Sequence, residues 1–167
     1  MKLVLKPIPK EDYARFHELV NDLDVARMTA TIPFPVTFEF VEKRLDDRRA
    51  LEAKDGSIVE RGIYNEAGEL IGNAGHFPHE TGGREIGYFI GKSFWGKGYA
   101  TEAGRALIAL VREQGHTGII YGTVAEDNPA SMRVLEKLGF VYVGEGRGTS
   151  AARPGEITKH NKYELAP

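Results

Sequence analysis

The sequence contains no cysteine among its 167 residues. This absence excludes disulfide bonds, zinc sites built on thiolates and a cysteine nucleophile. Neither sign of charge is in excess, since 22 Lys and Arg stand against 24 Asp and Glu and the formal net charge is −2. No overall field therefore favours binding to nucleic acid or to an anionic membrane surface.

Long apolar runs are also missing. No segment approaches the ~20 apolar residues of a membrane-spanning helix, and the run near the start is too short for a signal peptide. A chain without cysteine suits a reducing compartment. We therefore expect a cytoplasmic protein of one domain, residues 1–167, with no nucleic-acid or membrane partner.

Glycine is the residue in excess, at 20 of 167 positions, or about 12% against a usual ~7%. Many of these glycines lie between Gly82 and Gly155. Because glycine tolerates positive φ and close backbone approach, this distribution predicts tight turns and ligand contacts in the second half of the chain.

Helical spacing and cap residues predict five helical regions, in which the second is a broken stretch. These are Glu11–Val20, Leu23 towards Pro33, Phe38–Lys54, Tyr99–Gln114 and Pro129–Leu138. Apolar runs between turn residues predict seven strands, namely Lys2–Leu5, Ser57–Tyr64, Leu70–Phe77, Arg84–Gly91, Ile119–Val124, Phe140–Gly144 and Lys159–Leu165. Helices and strands alternate only in the second half, which favours an α+β protein with a mixed sheet.

One glycine-rich stretch, Gly91–Ala103, reads GKSFWGKGYATEA and nearly matches a nucleotide-binding P-loop. The pattern GxxxxGK is present, but Gly98 stands where the hydroxyl that holds Mg²⁺ is required. The dinucleotide pattern GxGxxG also fails, because Thr101 replaces its third glycine. A strand, a glycine loop and a helix in this order still suit a phosphate bound by backbone N–H groups without metal. A tight connection that serves packing alone is the simpler alternative.

A second segment completes a resemblance. REIGYFIGKSFWGKGYATEA, followed by NPASMRVLEKLGF, resembles the two signature segments of the GNAT superfamily of acyl-CoA-dependent N-acetyltransferases, and more narrowly its RimJ/RimL-type branch. The match covers roughly residues 84–140. The resemblance implies a twisted, mostly antiparallel mixed sheet of six to seven strands flanked by helices on both faces. It also implies acetyl-CoA as co-substrate, a primary amine as acceptor, no metal, and a monomer or homodimer.

The resemblance assigns residues to coenzyme A. Backbone N–H groups of the loop would cradle the pyrophosphate, and the strand before the loop would pair with the pantetheine arm and supply an N–H to the thioester oxygen. Asn128 would cap its helix and contact the cofactor. The implied cofactor-binding residues are Tyr88, Phe89, Ile90, Trp95, Gly96, Lys97, Gly98, Tyr99, Ala100, Thr101, Asn128 and Ser131. For the side chains of Tyr88 and Phe89, core packing is the more economical interpretation.

Two catalytic residues follow from the same resemblance. Glu85 lies where several family members carry a glutamate base that acts through water, and a surface glutamate beside Arg84 is the alternative. The second segment has Leu135 where many members have a tyrosine acid. Ser131 is the replacement that the RimJ/RimL resemblance suggests, with its hydroxyl bonded to the departing sulfur; ordinary helix-start chemistry is the alternative.

The acceptor side is harder to define from the residues. The glycine-rich segment 144–156 is a predicted loop, and its Arg147 and Arg153 are candidates for holding an acidic acceptor, with a solvated loop as the alternative. His76 and His79 imitate a metal site, but no third ligand is evident. Two other functions stay open: a non-catalytic acyl-CoA-binding module and a P-loop-like nucleotide-binding protein.

Overall fold

The computed structural model describes residues 1–167 and contains seven strands, five α-helices and two short 3₁₀ turns. The strands are β1 (Val4–Lys6), β2 (Val59–Tyr64), β3 (Leu70–Pro78), β4 (Arg84–Ile90), β5 (Ile120–Ala125), β6 (Val141–Gly148) and β7 (Thr158–Leu165). The helices are α1 (Tyr13–Val20), α2 (Leu23–Ala26), α3 (Phe38–Asp55), α4 (Tyr99–Glu113) and α5 (Pro129–Lys137). The 3₁₀ turns are Lys10–Asp12 and Lys92–Phe94.

All seven strands form one sheet in the order β1-β2-β3-β4-β5-β7-β6. Every neighbouring pair is antiparallel except β4 and β5, which run parallel. The predicted mixed, mostly antiparallel sheet is therefore confirmed. No helix of the structure is long and apolar enough to cross a membrane.

Two apolar layers hold the helices on opposite faces of this sheet. On one face, Phe16 of α1 and Val41 of α3 pack with Phe89 of β4, and the rings of Phe16 and Phe89 meet edge to face with centroids 5.4 Å apart. On the other face, Leu107 of α4 and Leu135 of α5 pack over the apolar residues of β4 and β5. The two faces are called the α1/α3 face and the α4/α5 face below.

Cap residues set the helix ends as predicted. The Thr37 hydroxyl accepts from the Phe40 N–H at 3.1 Å and starts α3, which ends at Gly56 with φ 66°. The Asn128 side chain likewise accepts from the Ser131 N–H, and Pro129 occupies the first helical position. The sequence therefore specifies these boundaries locally.

Three predicted elements differ from the structure. The broken helical region after Leu23 is helical only over Leu23–Ala26, because the following residues leave the helix to reach the proline pair. The first predicted helix begins with a 3₁₀ turn, Lys10–Asp12. The predicted loop 144–156 is strand as far as Gly148, because β7 supplies hydrogen-bonding partners that override its glycine content.

Candidate active site

A gap opens in the middle of the sheet where β4 and β5 diverge. The two strands pair only at Arg84↔Ile120 and Glu85↔Tyr121, although β4 continues to Ile90. Beyond Glu85, the edge of β4 that faces β5 lacks a strand partner. An extended ligand arm can therefore pair with this edge as an added strand would.

Alternation along β4 decides which backbone groups face the gap. The Arg84 N–H donates to the Ile119 oxygen on the β5 side, and the Gly91 N–H donates to the Ile71 oxygen on the β3 side. By the two-residue period, the backbone groups of Tyr88 and Ile90 face the gap and those of Phe89 face β3. The backbone groups that this edge offers to an extended ligand are therefore those of Tyr88 and Ile90, whereas Phe89 packs its ring in the α1/α3 core.

Trp95 ties the glycine loop to the end of β4. Its indole N–H donates to the Ile90 oxygen at 2.7 Å, while 45% of the residue is exposed. The Ile90 oxygen is thus already engaged, so the Ile90 N–H is the group that this residue offers to the gap. The exposed indole lies next to the loop.

The loop between Trp95 and α4 presents unpaired donors. None of the backbone N–H groups from Gly96 to Thr101 donates a hydrogen bond within the protein. Gly96 and Gly98 have φ values of 73° and 86°, which side chains rarely adopt, and Gly98 precedes α4 directly. These donors at a helix N-terminus suit a pyrophosphate. The Lys97 ammonium lies 5.8 Å from the centre of the Phe94 ring, at the exposed rim.

Ser131 stands at the start of α5, beyond the end of β5. It is partly exposed, and its N–H is held by the Asn128 side chain at 3.3 Å. Leu135, one turn later, is 2% exposed and packs in the α4/α5 core. The hydroxyl of Ser131 is therefore the donor that this face of α5 offers to the gap.

The hydroxyl groups of Tyr88 and Ser131 are hydrogen-bonded at 2.9 Å. Tyr88 lies on β4 and Ser131 follows β5, so the bond spans the diverging strands on the α4/α5 face. Burial raises the pKa of Tyr88, and the bond to Ser131 opposes this in part. Sequence reasoning treated the Tyr88 side chain as core packing and missed this contact, although its alternation with Ile86 and Ile90 was visible.

Glu85 lies on the opposite, α1/α3 face. Its carboxylate accepts a hydrogen bond from the Thr123 hydroxyl of β5 at 2.9 Å. Gly87, two residues on, is exposed although it lies in a central strand, and the space over its Cα is open. The sheet is therefore uncovered beside Glu85, which leaves room for an acceptor.

The glycine-rich segment packs against the turn after α2. The Ser150 hydroxyl donates to the Thr29 oxygen at 2.7 Å, and the Ala151 N–H donates to the Ala30 oxygen at 3.0 Å. The segment after β6 is thus hydrogen-bonded to the turn after α2.

Arg153, a candidate for holding an acidic acceptor, is already paired. Its guanidinium donates to both carboxylate oxygens of Asp127, at 2.8 and 3.2 Å, and its side chain is 10% exposed. Asp127 also pairs with Arg27 at 3.3 Å, and hydrogen bonding from Arg153 lowers the pKa of Asp127. Arg153 therefore holds the segment after β6 to Asp127, while Arg147 is exposed on β6.

The histidines do not form a metal site. His76 is fully buried, accepts from Arg84 Nε at Nδ1 (2.9 Å), and bonds Gln114 through Nε2 (2.7 Å). Burial lowers the pKa of His76 to about 4. His79 stacks on Tyr121 with ring centroids 3.7 Å apart. No group of three or more His, Cys, Asp or Glu residues is placed to hold a metal ion.

Comparison with known proteins agrees with this geometry. Residues 2–141 match a family model described as an acetyltransferase (GNAT) domain. The chain is 37% identical over 84 residues to the uncharacterized N-acetyltransferase p20 of Bacillus licheniformis, covering 49% of this chain and 47% of p20. It is 37% identical over 86 residues to YjdG of Bacillus subtilis (strain 168), covering 50% and 49%. The chain spans about half the length of the curated relatives it matches.

Solved structures share the whole fold. RimL, a ribosomal L7/L12 α-N-protein acetyltransferase in complex with coenzyme A, superposes with a TM-score of 0.84 at 20% identity, covering 99% of this chain and 94% of that chain. A spermidine N-acetyltransferase from Vibrio cholerae, in complex with CoA and spermine, superposes with a TM-score of 0.78 at 20% identity, covering 98% and 95%. The likeness at these identities is one of fold, whereas the family match extends over most of the sequence. The chain belongs to the GNAT family of acetyltransferases.

Proposed function

We propose that the protein transfers an acetyl group from acetyl-CoA directly to a primary amine, as an N-acetyltransferase of the RimJ/RimL type. One observation carries this proposal: Glu85 and Ser131 lie on opposite faces of the sheet, on either side of the gap between β4 and β5. A base on one face and a hydrogen-bond donor on the other suit an amine that attacks from one side while a thiolate leaves on the other.

Acetyl-CoA would bind along the gap and the glycine loop. The unpaired N–H groups of residues 96–101 suit its pyrophosphate, and the free edge of β4 at Tyr88 and Ile90 suits its pantetheine arm. The Tyr88 N–H faces the gap and would also stabilise the oxyanion of the tetrahedral intermediate. Trp95, Lys97, Tyr99, Ala100 and Asn128 would line or order this path.

Glu85 would receive the amine proton, directly or through a water molecule. The amine must lose that proton before its nitrogen attacks the thioester carbon. The Thr123 hydroxyl donates to one carboxylate oxygen of Glu85 at 2.9 Å and leaves the other oxygen available to accept a proton. When the tetrahedral intermediate collapses, the C–S bond breaks and the electron pair stays on sulfur, where the Ser131 hydroxyl would stabilise it.

The acceptor would be a protein N-terminus or a small-molecule amine. An α-amino group has a pKa of ~7.7–8.0, against ~10.4 for a lysine side chain, so it demands less of a single partly exposed carboxylate. RimL acts on a ribosomal-protein N-terminus and the Vibrio enzyme on spermidine, which are the two classes to test first.

We also propose that residues 1–167 form one domain and work in the cytoplasm as a monomer or homodimer. The continuous seven-stranded sheet, which reaches Leu165, supports the single domain. The complete lack of cysteine supports a reducing compartment.

The experiment measures coenzyme A release and binding. Because the chain has no cysteine, a chromogenic thiol reagent detects only the coenzyme A that is released. We expect release that depends on an added N-terminal peptide or polyamine, with a matching increase in mass of the acceptor. Calorimetry should show micromolar binding of acetyl-CoA and none of Mg·ATP. Binding of acetyl-CoA without turnover on either class of amine would favour a non-catalytic acyl-CoA-binding module, and binding of Mg·ATP alone would overturn the proposal.

A further inference from the structure

We propose that Tyr88 is a positioning residue that donates its phenolic hydrogen to Ser131 Oγ and thereby directs the Ser131 hydroxyl hydrogen at the departing sulfur. The inference rests on the proposed function and adds a residue and a direction of hydrogen bonding to it. It is carried by one contact, the 2.9 Å bond between the two hydroxyl groups across the gap.

The direction of this bond follows from the chemistry of the two groups. A phenol is the more acidic hydroxyl, so Tyr88 is the better donor and Ser131 Oγ the better acceptor. Burial raises the pKa of Tyr88, so the phenol keeps its hydrogen throughout the neutral range. Neither hydroxyl has another hydrogen-bond partner in the protein. With Tyr88 donating, the single hydrogen of Ser131 is left without an acceptor.

The Tyr88–Ser131 hydrogen bond lies across the gap between β4 and β5. Tyr88 is on β4 and Ser131 follows β5, and both lie beyond Glu85 and Tyr121, the last residues at which the two strands pair. A ligand arm that enters between the strands therefore brings its reacting end to the Tyr88–Ser131 bond. The Ser131 N–H is fixed by Asn128 at 3.3 Å, so the backbone of the donor is held as well.

The acetyl transfer balances without an acetylated form of the enzyme. The amine nitrogen forms a bond to the thioester carbon, the C–S bond breaks, and sulfur leaves as a thiolate that accepts the Ser131 hydrogen bond. The ammonium form of the amine loses one proton to Glu85, and from there to solvent, before it attacks, and the nitrogen loses a second proton to solvent as the amide forms. The thiolate takes a proton from solvent on release, so Ser131 and Tyr88 both end the reaction as they began.

The test uses coenzyme A and dethio-CoA, which carries hydrogen in place of the thiol. A donor aimed at sulfur favours the bound thiolate and lowers the pKa of the bound thiol below its free value. The affinity for CoA relative to dethio-CoA should therefore rise with pH up to the free pKa of the coenzyme A thiol, which as a simple alkyl thiol lies above the ~8.5 of a cysteine side chain. We expect a rise of about tenfold or more between pH 6.5 and 9.5, as for a hydrogen bond to a charged group.

Variants separate Tyr88 from Ser131. Ser131→Ala should abolish the increase with pH in the affinity for CoA relative to dethio-CoA. Tyr88→Phe should make that increase about fivefold smaller, and the double variant should behave as Ser131→Ala alone. In the same variants kcat should fall while the affinity for dethio-CoA stays within about twofold. Tyr64→Phe is the matched control, since it loses a hydroxyl bonded to Asp12 at 2.7 Å, away from the gap.

Each failure has its own signature. If Tyr88→Phe weakens the binding of CoA and dethio-CoA equally, Tyr88 is only a wall of the site and the inference is overturned. An unchanged pH profile in Tyr88→Phe, with amine acetylation intact in the wild type, also overturns the inference alone. If the wild-type protein binds neither CoA nor dethio-CoA, the proposed function and the inference about Tyr88 are both overturned.

Discussion

Arg153 and Asp127 form a two-point ion pair that joins the segment after β6 to the turn before α5. Asp127 directly precedes Asn128, which caps the helix that carries Ser131. One carboxylate therefore holds the start of α5 to residues 149–157, the segment that we propose as one wall of the acceptor site, and the same carboxylate also pairs with Arg27, next to α2.

Loss of this carboxylate should loosen the acceptor wall more than the coenzyme site. Asp127→Asn removes the charge that both arginines share, so we expect a rise in KM for the amine of about fivefold, with KM for acetyl-CoA within about twofold. Steady-state kinetics with each substrate varied in turn measures the difference. Asp55→Asn, at the distant end of α3, is the control; equal changes in both KM values would contradict the assignment.

The same pair sets an acid dependence of stability. Hydrogen bonding from Arg153 lowers the pKa of Asp127 below that of the unfolded chain, so the stabilisation is complete above the unfolded value of ~3.9. This stabilisation is lost as the pH falls through the lower pKa that Asp127 has in the folded protein. Urea unfolding of the wild type and Asp127→Asn should therefore differ at pH 6 and converge towards pH 3. A gap that stays constant over this range would show that the charge is not responsible.

His76 should make the protein sensitive to a milder range of acidity. Its pKa is lowered by burial to about 4, so the unfolded chain, with a value near 6.5, binds more protons between these limits. Stability should fall as the pH drops from ~6.5 towards ~4, by up to about 1.4 kcal/mol per pH unit for this residue. His76→Gln should flatten the dependence, although it lowers stability throughout. His79→Gln is the matched replacement of a second histidine.

Gly98, in the loop that we propose to bind the pyrophosphate, and Gly56, which is distant from it, allow a matched comparison. Both have positive φ, 86° and 66°, at a helix terminus, and Gly56 lies at the far end of α3. Alanine at either position should lower the free energy of unfolding by about 1 kcal/mol through backbone strain. Only Gly98→Ala should also weaken acetyl-CoA binding, and fluorescence of Trp95, the only tryptophan, measures this directly. Equal binding by both variants would count against the loop as the site.

Glu85 should matter most where the amine is protonated. Replacement by Gln removes the proton acceptor but keeps the hydrogen bond from Thr123, so kcat/KM should fall by about 10²-fold or more below the pKa of the amine and by less above it. Rates between pH 6 and 9 with an N-terminal peptide test this. Glu113→Gln, exposed at the end of α4, is the control. A uniform loss across the range would indicate binding rather than base catalysis.

Local signals in the sequence were sufficient for most of the fold. Thr37, Gly56 and the Asn128–Pro129 pair mark helix ends through their own caps, and the seven strands follow apolar runs. The mostly antiparallel character of the sheet came from the resemblance, and the order of the strands was not predicted, because pairing partners lie far apart in the chain. β6 was underestimated for the same reason, since β7 completes its hydrogen bonding.

The candidate site was predictable in its list of residues and not in its geometry. Glu85 and Ser131 came from motif positions, but their placement on opposite faces requires the register of β4 and β5. The Tyr88 hydroxyl and the Asp127 carboxylate were missed because each acts through a partner distant in sequence, at 43 and 26 residues. A single sequence shows a tyrosine in an apolar strand and an aspartate in a turn, and both patterns are ordinary.

The gap between β4 and β5 has walls from two separate stretches of chain. Glu85, Tyr88 and the glycine loop precede the exposed turn at residues 114–118, while Thr123, Asn128 and Ser131 follow it. Neither stretch alone contains both Glu85 and Ser131, the base and the sulfur-facing donor that we propose. We expect a cut in that turn to give two fragments that each lack one of these groups, so that acetyl transfer by a mixture of the two would report their reassembly.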